Sequence, residues 1–300
     1  MKSIFLYCSI LTLFIGNGLL AQNDPKSQNE KANEGESFVL ADISYSNDAV
    51  FMGRRDSIAA PYILSSIGYY DRSGWFADLS LSYLTRSEEQ RVDLFLVSGG
   101  YLFESKKWSG GLSGTAYFYN KDSYNVQSEV VVDVTGILSY DLKALELSVY
   151  ASSYFNKNST PDIFLGLMAE RTFYAFDRNF LITPRVSLYA GSQYFYEEYY
   201  STSRLGNRKG QGMGPGGSGS TEVNSVQIAE ASEFNFLNVA LSIPIQYQHK
   251  QFIFSFDPIW AFPQTSATLT TEDTVFQEKL DNVFYWSAGI SYWFLTTKEK

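Results

Sequence analysis

Cysteine and histidine are nearly missing from this chain, with Cys8 and His249 the sole representatives of their types. Cys8 falls within an N-terminal apolar stretch that reads as a removable signal. The remaining chain then has no disulfide, no thiolate nucleophile and no thiolate metal site. Long hydrophobic runs are also lacking. After the signal, no stretch approaches the ~20 continuous apolar residues that a spanning helix needs. Basic residues are the minority, 23 Lys and Arg against 32 Asp and Glu for a net charge of −9, which argues against nucleic acid or anionic headgroups as main partners.

What the chain has in quantity is aromatic residues, 17% of the total, and segments in which apolar residues alternate with small or polar ones. Twelve such segments are expected as strands: about 37–46, 61–70, 75–84, 91–103, 108–119, 128–140, 144–155, 162–174, 180–196, 231–247, 252–263 and 282–294. Short turns such as Asp71-Arg72-Ser73-Gly74, Glu104-Ser105-Lys106-Lys107 and Gln248-His249-Lys250-Gln251 alternate strictly with longer loops, the longest running from Glu197 to about Ala229. An even count of antiparallel strands with tight turns at one end and long loops at the other reads as an all-β transmembrane antiparallel barrel of about twelve strands in a bacterial outer membrane. In the last strand Phe284, Trp286, Ala288, Ile290, Tyr292 and Phe294 take the lipid face, and Tyr285, Ser287, Gly289, Ser291 and Trp293 the inner one.

The chain divides accordingly. Residues 1–21 read as a signal peptide, with basic Met1-Lys2, apolar Ile4 to Ile15 and a cleavage site at Asn17 to Ala21. Residues 22–36 read as a polar, mobile periplasmic leader, 37–296 as the barrel and 297–300 as a tail. Trp75, Trp108 and Trp293 fall at short-turn strand ends and Trp260 toward the long loops, as girdles at both water interfaces predict. Pro184, Pro244 and Pro258 interrupt consecutive strands and predict bulges or breaks, since proline cannot donate to a ladder. Arg171 lands on the lipid face, which is tolerable only at an interface.

Two stretches carry a resemblance. Tyr45-Ser46, Phe51-x-Gly53-Arg54-x-Asp56 and Pro61-Tyr62, with Ser242-Ile243-Pro244 and Phe252-x-Phe254-x-Phe256-x-Pro258, look like patterns in uncharacterised bacterial outer-membrane β-barrel families. The resemblance spans most of the mature chain, describes strand architecture and implies no activity. The last strand, with Tyr292 and Phe294, likewise resembles the assembly signal of outer-membrane proteins, which implies the assembly machinery as a partner, although Leu295 to Lys300 extend beyond it.

Extending the two-residue phase from strand to strand turns Asp42, Asp78, Asp93, Asp133, Glu146, Glu170 and Asp257 inward, with Arg185 as the single inward base. A wall of carboxylates favours cations over anions. Two readings stand: a narrow or gated path for small polar, cation-preferring solutes, or a filled lumen in which the acids bond to inward Tyr, Ser and Thr, leaving a structural barrel that binds another envelope protein. Arg185 beside Asp257 reads as a structural ion pair. In the first outer loop, Phe51, Arg54, Arg55 and Asp56 follow Val50 in an apolar stretch that either folds into the mouth as a constriction, bringing an arginine to the acidic wall, or simply prolongs the first strand.

Other motifs carry less. Gly206 to Gly217 lacks the Gly-Lys-Ser/Thr ending and strand-to-helix setting of a phosphate loop and reads as a flexible outer loop. Tyr194, Phe195, Tyr196, Tyr199 and Tyr200 read as the outer girdle continued above the membrane rather than a sugar platform. His249 lies in an inner-side turn, far from the outer rim where barrel hydrolases place an activating histidine, so no enzyme, cofactor or metal centre is expected and no carboxylate pair is set at a glycosidase separation. A monomer in outer-membrane lipid, with no nucleic-acid partner, is the expectation that remains.

Overall fold

The computed structural model describes residues 36–296 apart from 57, 88, 158–159, 200–226, 230 and 271–274. The signal, nearly all of the leader, the tail and the Gly206 to Gly217 loop therefore lie outside the described residues.

The alternating segments form strands β1 (Phe38–Ser46), β2 (Tyr62–Tyr70), β3 (Trp75–Arg86), β4 (Glu89–Ser105), β5 (Trp108–Tyr119), β6 (Val130–Asp141) and β7 (Glu146–Asn156). They are followed by β8 (Asp162–Glu170, continued by Phe173–Ala175), β9 (Phe180–Ile182 and Arg185–Gly191), β10 (Asn235–Ser242 and Ile245–His249), β11 (Phe252–Pro263) and β12 (Val283–Leu295). Each pairs antiparallel with its neighbours, and β12 pairs with β1 from Phe38↔Leu295 to Ser46↔Ser287, closing a twelve-stranded barrel with no free edge. Closure gives each strand a hydrogen-bonding neighbour on both sides, the condition for crossing hydrocarbon.

The polarity is inside out. Ile43, Ile67, Leu79, Leu112, Val149, Leu167 and Ile290 are exposed around the outside, while serines, threonines and carboxylates on the alternate positions are buried within. Outward aromatics pair across strands near the short turns, Trp75 with Tyr101 at 5.3 Å, Trp108 with Tyr140 at 4.6 Å and Phe252 with Tyr292 at 4.9 Å. An apolar exterior of this extent requires a hydrocarbon surrounding. Arg171 stands at the rim, donating to the Ala144 carbonyl at 2.8 Å and lying over the Phe173 ring at 5.2 Å. Trp293 departs from the expected girdle. It is 8% exposed and joins Phe38, Tyr70, Phe76, Leu102 and Ile253 in an apolar cluster that fills the lumen at the short-turn end.

The prolines break hydrogen bonds but not register. On β9 and β10, Ile182↔Ile245 and Arg185↔Ser242 keep one continuous alignment past Pro184 and Pro244, and Pro258 stays opposite Trp286 in the β11–β12 ladder. The backbone carbonyls of the prolines still accept, Pro244 from the Thr183 amide at 2.9 Å and Pro184 from the Arg171 amide at 3.2 Å. The register shifts occur elsewhere, between Ser82 and Tyr83, Val130 and Val132, and Tyr189 and Ala190. The alternation of connection lengths also has an exception. Strands β3 and β4 run longer than expected, to Arg86 and from Glu89, so this outer connection is as tight as the turns at the other end.

Among those turns, Asp71 to Gly74 shows how the sequence makes one. Gly74 has φ of +100° and lies so close to the Leu102 carbonyl that an added Cβ would stand 2.2 Å from it. Asp71 accepts from the Ser73 hydroxyl, from the Ser73 amide at 2.9 Å and from Ser37 Oγ at 2.9 Å. These bonds, led by that of the Ser73 side chain, hold its carboxyl below the usual range.

Candidate functional site

The lumen and its outer mouth hold the chemistry. Asp78, Asp93, Asp133, Glu146, Glu170, Arg185 and Asp257 are all buried inside the wall, and Asp42 is partly buried on the same face. Their surroundings are largely hydroxylic. Asp133 accepts from Thr135 Oγ1 at 2.6 Å and Tyr117 Oη at 2.8 Å, Asp78 from Ser80 Oγ at 2.6 Å, and Asp42 from Ser291 Oγ at 2.7 Å. Thr135 and Ser80 stand two residues from their aspartates on one strand and so share a face with them, whereas Tyr117 reaches Asp133 from the neighbouring strand and Ser291 lies directly opposite Asp42 on β12.

Asp93 reaches the interior by a different route. The shift between Ser82 and Tyr83 on β3 leaves Asp93 as the extra residue of β4, so both Asp93 and Leu94 are buried. Its carboxylate takes bonds from Tyr62 Oη at 2.6 Å, Ser123 Oγ at 2.5 Å and Arg91 Nε at 3.0 Å. Arg91 thereby becomes a second inward base at the outer end of the wall. Arg185 is consequently not the single one, and its partner also differs from expectation. It donates to Glu170 at 2.6 Å, directly opposite on β8, with both side chains almost wholly buried. Asp257 is 0% exposed, and among the described residues neither of its oxygens has a hydrogen-bond partner. Glu146 lies opposite Glu170, so β7, β8 and β9 carry Glu146, Glu170 and Arg185 in one row.

The mouth is closed by a device assembled from separate parts of the chain. The first outer loop turns inward at a two-residue tip, in which Phe51 and Arg54 exchange both backbone hydrogen bonds at 2.8 Å across Met52 and Gly53. Positive φ at Met52 (49°) and Gly53 (79°) gives the tight turn whose twist suits a hairpin. Phe51 is 3% exposed and meets the rings of Tyr154, Phe164 and Phe195 at 5.6, 5.5 and 5.1 Å. On the other side, an added Cβ on Gly53 would stand 2.8 Å from Asn238 Oδ1 and 3.0 Å from Pro263 Cβ. The loop leaves β1 and its tip reaches β7 and β8, so it crosses the mouth.

The arginines of the loop meet other loops rather than the acidic wall. Arg54 is buried, donates to the Thr265 carbonyl at 2.6 Å, pairs with Glu278 at 3.4 Å and lies over the Tyr196 ring at 4.8 Å. Glu278 also accepts from Tyr196 Oη at 2.6 Å and the Ala267 amide at 3.1 Å, tying three outer segments together. Arg55 points outward and pairs with Asp48 at 2.6 Å within its own loop, while Asp56 accepts from the Tyr199 hydroxyl. Gln227–Ile228, Thr268–Thr270 and Val275–Gln277 form a separate short antiparallel sheet among the outer segments.

Helix α1 (Tyr194–Tyr199) supplies the remaining part of the plug. Of the aromatics expected as an outer girdle, Phe195, Tyr196 and Tyr199 point inward instead, at 0%, 3% and 1% exposure, and Tyr200 lies outside the described residues. Asp162 at the end of β8 sets this helix. It accepts from the amides of Tyr194 at 2.8 Å and Phe195 at 2.7 Å, with Ser192 Oγ and Asn156 Nδ2 also donating to it. A carboxylate on the free amides of a first turn stabilises a helix too short to form alone. Asp162 was missed as a functional residue in the sequence, where it reads only as the start of a strand. His249 stands at the short-turn end, exposed, beside Tyr247. Among the described residues no group of three or more His, Cys, Asp or Glu could hold a metal ion.

No protein-family model matches the chain, and no curated protein matches it in sequence. Solved structures of similar shape include a KdgM porin (TM-score 0.45, 8% identity, 84% of this chain and 98% of that one). A NanC porin gives TM-score 0.45 and 9% identity over 85% and 98% of the two chains. LpxR from Salmonella typhimurium gives 0.44 and 10% over 85% and 100%. At these identities and scores the likeness assigns no activity.

Proposed function

We propose that this is a bacterial outer-membrane barrel that passes small cations and polar solutes when its outer plug moves aside. The observation that carries the reading is the buried wall, in which Asp78, Asp133 and Glu146 form no salt bridge among the described residues while Glu170 and Asp93 are matched by Arg185 and Arg91. Such a field favours cations. The Phe51 to Arg54 tip and α1 then act as the gate, held by Arg54 and Glu278. Planar-bilayer recording of the refolded barrel under a salt gradient tests this. Discrete steps with a cation-directed reversal potential, weakened by Asp133→Asn, are expected. A folded barrel that stays silent at all voltages, even with its plug loosened, overturns it.

A second reading has its own observation. The cluster of Phe38, Tyr70, Phe76 and Trp293 fills the short-turn end, with Phe38 and Tyr70 stacked at 4.9 Å. A barrel filled at both ends suits a structural protein that binds another envelope protein. In-cell crosslinking separates the two, since a recurrent partner of a non-conducting barrel favours the second.

A further inference from the structure

Beneath the first and third outer loops lies a cavity of about 110 Å³ inside the barrel wall. One water needs roughly 10–15 Å³ of such space, so the cavity holds a molecule of several non-hydrogen atoms. Its lining is unusual. Tyr62 of β2, Tyr117 and Tyr119 of β5 and Tyr285 of β12 bring four tyrosines from three strands, Asp48 and Asp93 supply two carboxylates, and no lysine or arginine lines it. Tyr117 and Tyr119 stand two apart on β5 with parallel rings 5.8 Å between centroids. The Tyr119 hydroxyl is buried and has no hydrogen-bond partner among the described residues. The hydroxyls of Tyr62 and Tyr117 are bonded to Asp93 and Asp133, which fixes those two rings.

We infer that this cavity is a binding site for a small organic cation of the quaternary or substituted ammonium class. Aromatic rings attract a cation through their negative faces, and the attraction grows where water is excluded. A substituted ammonium suits the lining better than a metal ion does, since the carboxylates are already engaged, Asp48 by Arg55 and Asp93 by Arg91, and offer charge at a distance rather than free ligand atoms. An anion meets two carboxylates and no base there. Apolar atoms of Leu64, Leu94 and Leu96 line the same space and fit the alkyl groups of such a cation.

The inference deepens the cation-passage reading, on which it rests for its place in a path, but its test does not depend on conduction. Choline is titrated into the detergent-solubilised full-length barrel by calorimetry, in parallel with its neutral isostere 3,3-dimethylbutan-1-ol. Saturable binding of choline and none of the isostere is expected. Tyr119→Leu should weaken choline binding roughly fivefold to thirtyfold, and Tyr119→Phe, which keeps the ring, should restore it. Equal binding of the isostere, unchanged affinity in Tyr119→Leu, or no binding by a barrel shown folded by heat-modifiable mobility would each overturn the inference. The comparison of choline with the isostere uses the unsubstituted protein, so it stands even where a variant misfolds. Choline binding by a barrel that never conducts would sink the passage reading and leave this one intact.

Discussion

Replacing Glu278 by alanine is expected to open the mouth. Arg54 and Glu278 have side chains 1% and 11% exposed, and without Glu278 the Arg54 guanidinium keeps the Thr265 carbonyl and the Tyr196 ring. Removing one partner of a buried ion pair leaves an uncompensated charge and costs about 3–5 kcal/mol. The Tyr196 hydroxyl and the Ala267 amide lose their acceptor as well. Since every ~1.4 kcal/mol is tenfold in an equilibrium, the open fraction should rise roughly a hundredfold or more. Open probability in a planar bilayer measures it. The control is Arg54→Met combined with Glu278→Leu, because an apolar pair of similar volume replaces a buried ion pair at little cost and should shut the mouth again. If the single variant gates like the unsubstituted protein, or the double variant stays as open as the single, the latch is not what holds the plug.

Three further outcomes follow from local geometry. Asp162→Ala removes the acceptor of the Tyr194 and Phe195 amides and should destabilise α1 by about 2 kcal/mol or more, seen as faster hydrogen exchange of those amides with the wall amides unchanged. Leu112→Arg, on an outward position 58% exposed, should cost about 2–4 kcal/mol in urea unfolding from lipid vesicles, whereas Lys106→Ser in a turn should cost almost nothing; equal costs would refute the placement of the hydrocarbon belt. Asp71 has its carboxyl held down in the folded state, so its contribution is present above the ordinary carboxylate value near ~4 and lost as pH falls toward the folded value. The stability advantage of the unsubstituted barrel over Asp71→Asn should therefore be full at neutral pH and shrink under acid, and an advantage that grew on acidification would reverse the assignment.

Much of the wall was legible in the sequence because its rule is local. A strand alternates its side chains every second residue, so Asp133, Glu146, Glu170, Arg185 and Asp257 could be assigned to one face from their neighbours alone. The tight turns followed from Gly, Asp and Lys at their tips, and strands β5 and β11 begin and end where the alternation does. Even the prolines of β9, β10 and β11 leave the register intact, since a missing donor removes one bond without adding a residue.

What the tertiary structure decided lies where an extra residue or a distant partner intervenes. Asp93 owes its burial to a bulge that the two-residue period does not contain. Trp293 alternates inward, yet its role in the apolar fill of the lumen depends on Phe38, Tyr70 and Ile253 arriving from other strands. Phe195, Tyr196 and Tyr199 read as a girdle because aromatics next to a strand resemble one, and they became a helix through amides bonded to Asp162, more than thirty residues away in the chain. Arg54 meets Glu278 across a sequence separation of 224, a contact no local pattern encodes. The sequence by itself determined the barrel and the carboxylates on its inner face, because those depend on neighbours two residues apart; how the loops pack over the mouth was decided only in three dimensions, because loop packing depends on which residues the closed wall brings together.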